Sequence, residues 1–225
     1  MFGSGAFAWL SGTLQLITAR HVVDALRSLT GTLDSLRIPE SPDSRRLVRL
    51  PLRALAAPQA DAETLDADLC ALQLAADVAQ RALRGWRALT ADQLARRDEP
   101  GDADPLYLVS GYPACRTRLH RAPALVGLYS VRTRRLAQSP KHALAPVHPK
   151  LDLFFAYGYR GVDGRDGHIA GTPPLEGLSG APVWQLGGGD AFPQALRLVG
   201  IQTSYCHGAY IRAKDCALLD RLLPL

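Results

Sequence analysis

The chain has 225 residues, 47% hydrophobic and 21% charged, which argues against wholesale disorder and gives enough length for a core without metals or disulfide staples. With 26 basic and 21 acidic side chains the net charge is +5. The arginines are scattered apart from Arg132, Arg134 and Arg135, so nucleic acid is a disfavoured partner. No apolar run reaches the ~20 residues of a membrane span. The opening MFGSGAFAWLSG lacks a basic leader and is broken by glycine, so neither a membrane nor a secretory route is expected.

In chain order, residues 6–10 and 13–18 read as strands joined by a Ser11-Gly12 hairpin turn. A brief helix over 22–29 follows, then strands over 47–52 and 68–74. The Ala- and Arg-rich stretch 75–97 suits helical turns and runs into a polar breaker at 96–102. That breaker divides the chain into residues 1–100 and 101–225. Further strands are expected over 106–110, 125–131, 151–157, 181–186 and 196–203, with a Gly- and Pro-rich loop over 158–174. Leu218, Leu219, Leu222 and Leu223 form a helical stripe at the C-terminus, with Asp215 near its start. Many short strands with turn punctuation predict an all-β sandwich or barrels.

Chemistry concentrates at Gly177-Leu178-Ser179-Gly180-Ala181-Pro182-Val183-Trp184. A serine between glycines at the head of an apolar strand allows a sharp turn that exposes Oγ and gathers N–H groups around one point. Ala181 stands where the α/β-hydrolase elbow would have its last glycine. That fold also orders its triad Ser, Asp, His and alternates strands with helices, so an esterase of that type does not fit. A serine hydroxyl is a weak nucleophile at neutral pH and needs a base. His21 lies just past an apolar strand, in Thr18-Ala19-Arg20-His21-Val22-Val23, and can supply one. Asp68 heads the apolar run Leu69-Cys70-Ala71-Leu72 and can orient an imidazole; Asp66, two residues earlier, is the competing acid.

Taken together, the three segments resemble the trypsin-like, chymotrypsin-fold serine peptidases of bacterial type, and they follow that family's order of His, Asp, Ser. The resemblance covers most of the chain apart from residues 29–67, 75–105 and 158–174. It implies a mainly β fold of two antiparallel six-stranded barrels with a C-terminal helix. Residues 1–100 would form the barrel bearing His21 and Asp68, and residues 101–225 the barrel bearing Ser179 and the substrate pocket. It makes Ser179 the nucleophile, His21 the general base, Asp68 its orienting acid, and the N–H groups of Gly177 and Ser179 the oxyanion hole. The implied activity is that of a serine endopeptidase acting through an acyl-enzyme. Its partners would be a protein or peptide substrate and a regulatory protein. It would be cytoplasmic, with a regulatory or defence role and no cofactor. The rival reading is a catalytically idle relative that serves as a binding module.

The same resemblance places the pocket floor at Pro173 and Pro174 and the wall at Thr203, Ser204 and Tyr205, with Gly208 beyond and Glu176 at the rim. With no carboxylate at the floor, small or medium apolar P1 side chains are expected, because a buried Arg or Lys tip needs a paired charge. The sequence carries no Ile-Val-Gly-Gly start, so activation by a freed N-terminus is not expected. The four cysteines, Cys70, Cys115, Cys206 and Cys216, form no C-x-x-C pair and read as free thiols. Cys206-His207 lacks the companions of a metal site, so no metal is expected.

Overall fold

The computed structural model describes residues 3–33, 36–41, 44, 46–50, 52–56, 67–82, 84–94, 105–118, 125–164, 166–186 and 196–219. Two antiparallel sheets organise it. The first half builds a four-stranded sheet in the order β1-β2-β6-β5, from β1 (Ala6–Leu10), β2 (Thr13–Thr18), β5 (Leu52–Ala56) and β6 (Cys70–Leu74). A separate ribbon pairs β3 (Arg37–Pro39) with β4 (Leu47–Arg49). The second half builds a curled six-stranded sheet in the order β10-β7-β14-β15-β16-β11. Its strands are β7 (Leu106–Gly111), β10 (Tyr129–Arg134), β11 (Asp152–Ala156), β14 (Pro182–Leu186), β15 (Leu196–Cys206) and β16 (Tyr210–Asp215). Two small ribbons complete it: β8 (Thr117–Arg118) with β9 (Leu125–Val126), and β12 (Arg160–Val162) with β13 (Ile169–Gly171).

The β1–β2 hairpin turns on Ser11 and Gly12, both at positive φ (48° and 73°), as a two-residue turn with matching strand twist requires. The helix expected over 22–29 is α1 (Arg20–Thr30). The single strand expected over 47–52 is instead two elements, with β4 ending at Arg49 and β5 starting at Leu52. The sequence places Pro51 between them, and a proline cannot donate to a ladder. The strand expected over 125–131 is likewise split into β9 and β10. The stretch 75–97 contains α2 (Ala76–Ala82) and a 3-10 turn, Ala91–Gln93. The C-terminal stripe begins as a 3-10 turn, Cys216–Leu218, capped by Asp215 accepting the Ala217 N–H at 2.9 Å. Leu222, Leu223 and the boundary near residue 100 lie outside the described residues.

Three apolar clusters fill the interior. One belongs to the first half, with Phe7, Leu14, Leu16, Val23, Cys70 and Leu72 among its members. One belongs to the second half and includes Val109, Phe155, Leu178, Val183 and Ile211. The third is shared. Ala8, Ile17 and Leu69 from the first half pack with Leu198, Ile201 and Leu219 from the second. Backbone bridges Ala8–Leu89 and Leu94–Leu198 reinforce this seam. His21 follows β2, Asp68 precedes β6 and Ser179 precedes β14.

Candidate active site

His21 is the second residue of α1, two positions after the N-cap residue Ala19, which offers no capping side chain. The first turn of a helix carries orphan N–H groups and normally recruits a local Ser, Thr, Asp or Asn. Here the acceptor comes from a distant segment. Asp68 Oδ1 accepts the His21 backbone N–H at 2.9 Å, and Asp68 Oδ2 lies 2.6 Å from His21 Nδ1. One carboxylate therefore caps the helix and fixes the imidazole. An ionised carboxylate can only accept, so Nδ1 carries the proton and Nε2 is left with its lone pair. The hydrogen bond that His21 donates to Asp68 is the main influence raising the His21 pKa above 6.5; burial opposes it, and the charges of Asp68 and Asp24 add to it. The pair is half open to solvent, with side-chain exposures of 49% for His21 and 27% for Asp68. Asp66 lies outside the described residues.

The Ser179 turn precedes β14. Gly177 and Gly180 have φ of 85° and 92°, in the left-handed region that a β-carbon disfavours. The N–H groups of Leu178, Gly180 and Ala181 are spent on the carbonyls of Leu175, Gln202 and Leu178, at 2.8–2.9 Å. Among the described residues, those of Gly177 and Ser179 donate to no protein acceptor. Ser179 Oγ donates to the Thr203 carbonyl at 3.4 Å, and no hydrogen bond joins it to His21 among the described residues. Thr203 sits where the β15–β16 register shifts between Gln202 and Ser204, so its carbonyl falls outside the ladder and faces the turn.

The residues expected to line the pocket sit around an aromatic group. The Tyr157 ring is 6.3 Å from that of Tyr205 and 5.8 Å from that of His207, and the Tyr159 ring is 5.1 Å from His207. Tyr159 packs so closely on Gly208 that a β-carbon there would overlap its ring. His207 Nε2 is 3.0 Å from the Thr172 carbonyl, which fits a donated N–H and ties the ring down. The Pro173 carbonyl accepts the Tyr157 hydroxyl, and the Pro174 carbonyl accepts the Cys115 thiol at 3.4 Å. Glu176 is exposed, and a hydrogen bond from Tyr205 is the first cause lowering its carboxyl pKa. A cavity of about 520 Å³ between the halves is lined by His21, Asp68, Thr203, Ser204, Arg212 and Lys214, among others. Neither Ser179 nor Pro173, Pro174, Glu176, Tyr205 or Gly208 lines it.

The sequence reading missed a second acid–base cluster. Asp152 and Lys214 are cross-strand partners on β11 and β16, and Arg212 lies two residues along the same face. Arg212 donates to Asp152 from Nε at 2.9 Å and from an Nη at 2.6 Å, and Lys214 Nζ lies 2.9 Å from Asp152 Oδ1. The Lys214 contact is a charge pairing whose angle falls short of a hydrogen bond. The Asp152 side chain is 0% exposed. Burial pushes its pKa up, but Arg212, Lys214 and the His148 N–H outweigh that and hold it below 3.8. An Asp facing two cations across paired strands was visible in the sequence only once the register was known.

No protein-family model matches the sequence, and no curated protein matches it. Solved structures do match. HBP, the heparin-binding protein, a chymotrypsin-fold protein, superposes with a TM-score of 0.56 at 15% identity, over 97% of this chain and 82% of that one. The fold is chymotrypsin-like.

Proposed function

We propose that the chain is a serine endopeptidase in which His21, Asp68 and Ser179 act as the triad. The observation that carries this reading is the two-point hold of Asp68 on His21. It fixes the tautomer that leaves Nε2 as a base, at the same seam that receives the Ser179 turn. The two undonated N–H groups of Gly177 and Ser179 support it, since they can receive the negative oxygen of a tetrahedral intermediate.

Ser179 Oγ would attack the scissile carbonyl carbon as His21 Nε2 takes its proton, forming the C–O bond and the oxyanion. Collapse breaks the C–N bond, and the proton passes from His21 to the leaving amine. Water, deprotonated by His21, then releases the acyl group and restores Ser179. Attack requires Ser179 Oγ to leave the Thr203 carbonyl and turn to His21. Small or medium apolar P1 side chains suit a wall of Tyr157 and Tyr205 with proline carbonyls already engaged. The same reading keeps a single protein substrate in a bacterial cytoplasm, with a regulatory or defence role. Exposed free Cys115 and Cys206 suit a reducing compartment.

The resting contact of Ser179 with Thr203 favours the second reading, an idle fold used for binding. A fluorophosphonate probe separates the two. Labelling of the wild type that disappears in Ser179→Ala supports the peptidase; no labelling of a folded wild type supports the binding module.

A further inference from the structure

The Gly3-Ser4-Gly5 segment has no part in the triad, yet every polar atom of Ser4 is hydrogen-bonded, two of them to the nucleophile turn. Its N–H donates to the Ser179 carbonyl at 2.7 Å, and its Oγ donates to the Gly177 carbonyl at 3.3 Å. The same Oγ accepts the Tyr112 N–H at 2.9 Å, and the Ser4 carbonyl accepts the Thr18 hydroxyl at 2.7 Å. Ser4 thereby ties together β2, three residues before His21, the end of β7, and the Ser179 turn. The side chain is enclosed, with Ser4 only 8% exposed. A β-carbon on Gly111 would overlap Ser4 Oγ, and one on Gly180 would overlap the Ser4 carbonyl and the Thr18 hydroxyl. The glycines at 111 and 180 therefore leave the room that the Ser4 hydroxyl and carbonyl occupy.

The contacts bear on successive peptide planes. The two planes carrying the undonated N–H groups of Gly177 and Ser179 are held through the Glu176 carbonyl, which accepts from Ala114, and the Leu178 carbonyl, which accepts from Ala181. The plane between them presents the Gly177 carbonyl, which accepts from Ser4 Oγ. Glycine rotates at low cost, and the far edge of this plane, the Leu178 N–H, is tied to the Leu175 carbonyl, so Ser4 supplies the second point that keeps it from tilting.

We propose that Ser4 is a positioning residue that locks the Gly177–Gly180 turn with its N–H groups converged for the oxyanion, and links that turn to the strand leading into His21. It rests on the peptidase reading for its consequence, but the lock itself can be read without activity. The hold uses uncharged groups only, so the turn stays formed without a titrating partner.

The test compares wild type with Ser4→Ala and Ser4→Thr. It uses the rate of fluorophosphonate labelling, the KM and kcat on a peptide library substrate, the thermal midpoint, and amide exchange at Tyr112 and Gly180. Ser4→Ala is expected to slow labelling and lower kcat by about 10- to 100-fold with KM nearly unchanged, because small misplacements in a preorganised site cost that much. Ser4→Thr, which keeps the hydroxyl, should recover most of the loss. If Ser4→Ala does not fold, Thr18→Val, which removes only the tie to the Ser4 carbonyl, should slow labelling in the same sense. Wild-type labelling that Ser4→Ala or Thr18→Val leaves untouched overturns the role of Ser4 and spares the peptidase reading. If the wild type does not label, that reading fails, and amide exchange decides the lock: faster exchange in the variant supports it, unchanged exchange overturns it.

Discussion

Asp68 and Asp152 invite comparison because each stands near the head of a strand and holds a nitrogen 2.6 Å away. Asp152 is sealed, meets the Arg212 and Lys214 side chains, and also accepts the His148 N–H at 2.7 Å. Asp68 meets a single imidazole that can gain or lose a proton, and both groups remain open to solvent. Arginine fixes its charge, whereas histidine makes it conditional. Equal distances therefore carry different consequences: the buried cluster holds β11 to β16, and the exposed pair keeps a base ready.

The comparison can be broken by mutation. Asp68→Asn should lower turnover by up to about four orders of magnitude, by favouring the wrong imidazole tautomer, while the unfolding midpoint stays close to wild type. Steady-state kinetics beside a thermal melt read both. Equal losses in Asp66→Asn would move the orienting role to the other acid. Asp152→Ala should do the reverse. It strands Arg212 and Lys214 as buried charges and should cost about 3–5 kcal/mol of stability by denaturant titration. A loss of activity without destabilisation would put Asp152 in the chemistry instead.

Acidity sharpens the contrast. The raised pKa of His21 means kcat/KM should climb with pH through an apparent value above 6.5, which Asp68→Asn should lower. The stability that His21 gains from Asp68 is present below its unfolded pKa and fades as pH rises through the folded one. Asp152, whose folded pKa is depressed, contributes stability above its unfolded value near 3.8 and loses it as pH falls toward the folded one. Acid unfolding should therefore be blunted in Asp152→Asn, and a pH series of melts checks it. A smaller effect concerns capping. Asp68→Ala should remove about 0.5–2 kcal/mol, because α1 loses its acceptor at His21 N–H as well as the imidazole contact. The smallest is a reactivity difference. Exposed Cys115 and Cys206 should alkylate at once, while Cys70, fully buried with its thiol pushed up to about 12 chiefly by burial, should wait for unfolding. Early modification of Cys70, located by mass spectrometry, would show that β6 opens under native conditions.

Local signals in the sequence were enough to find the β1–β2 hairpin, the strands β14 and β15 that follow Ser179 and the three candidate chemical groups, because turns and apolar runs act over a few residues. What escaped was non-local or exposed. β12 and β13 lie mostly on the surface of a glycine-rich loop, so no alternation of apolar and polar residues announced them. The start of α1 at Arg20 carries no capping residue because its cap arrives from 47 positions away. The bond from Ser4 to Gly177 spans 173 positions, and nothing in Gly-Ser-Gly by itself says which carbonyl it will meet. Arg132 and Arg134 formed a charge run in sequence, and in the fold they occupy the exposed positions of β10, an edge strand that charge guards against pairing.

The apolar seam shared by the two halves has a thermodynamic corollary. Ile17 and Leu69 from one half and Leu198, Ile201 and Leu219 from the other are all buried in one shared cluster, so the two halves share an apolar surface that separation would expose. Melting should then be a single cooperative event, with calorimetric and van't Hoff enthalpies in agreement despite two separate sheets. A cavity cut on one side, such as Leu198→Ala, should lower the midpoint seen by a probe on the other side by the same amount.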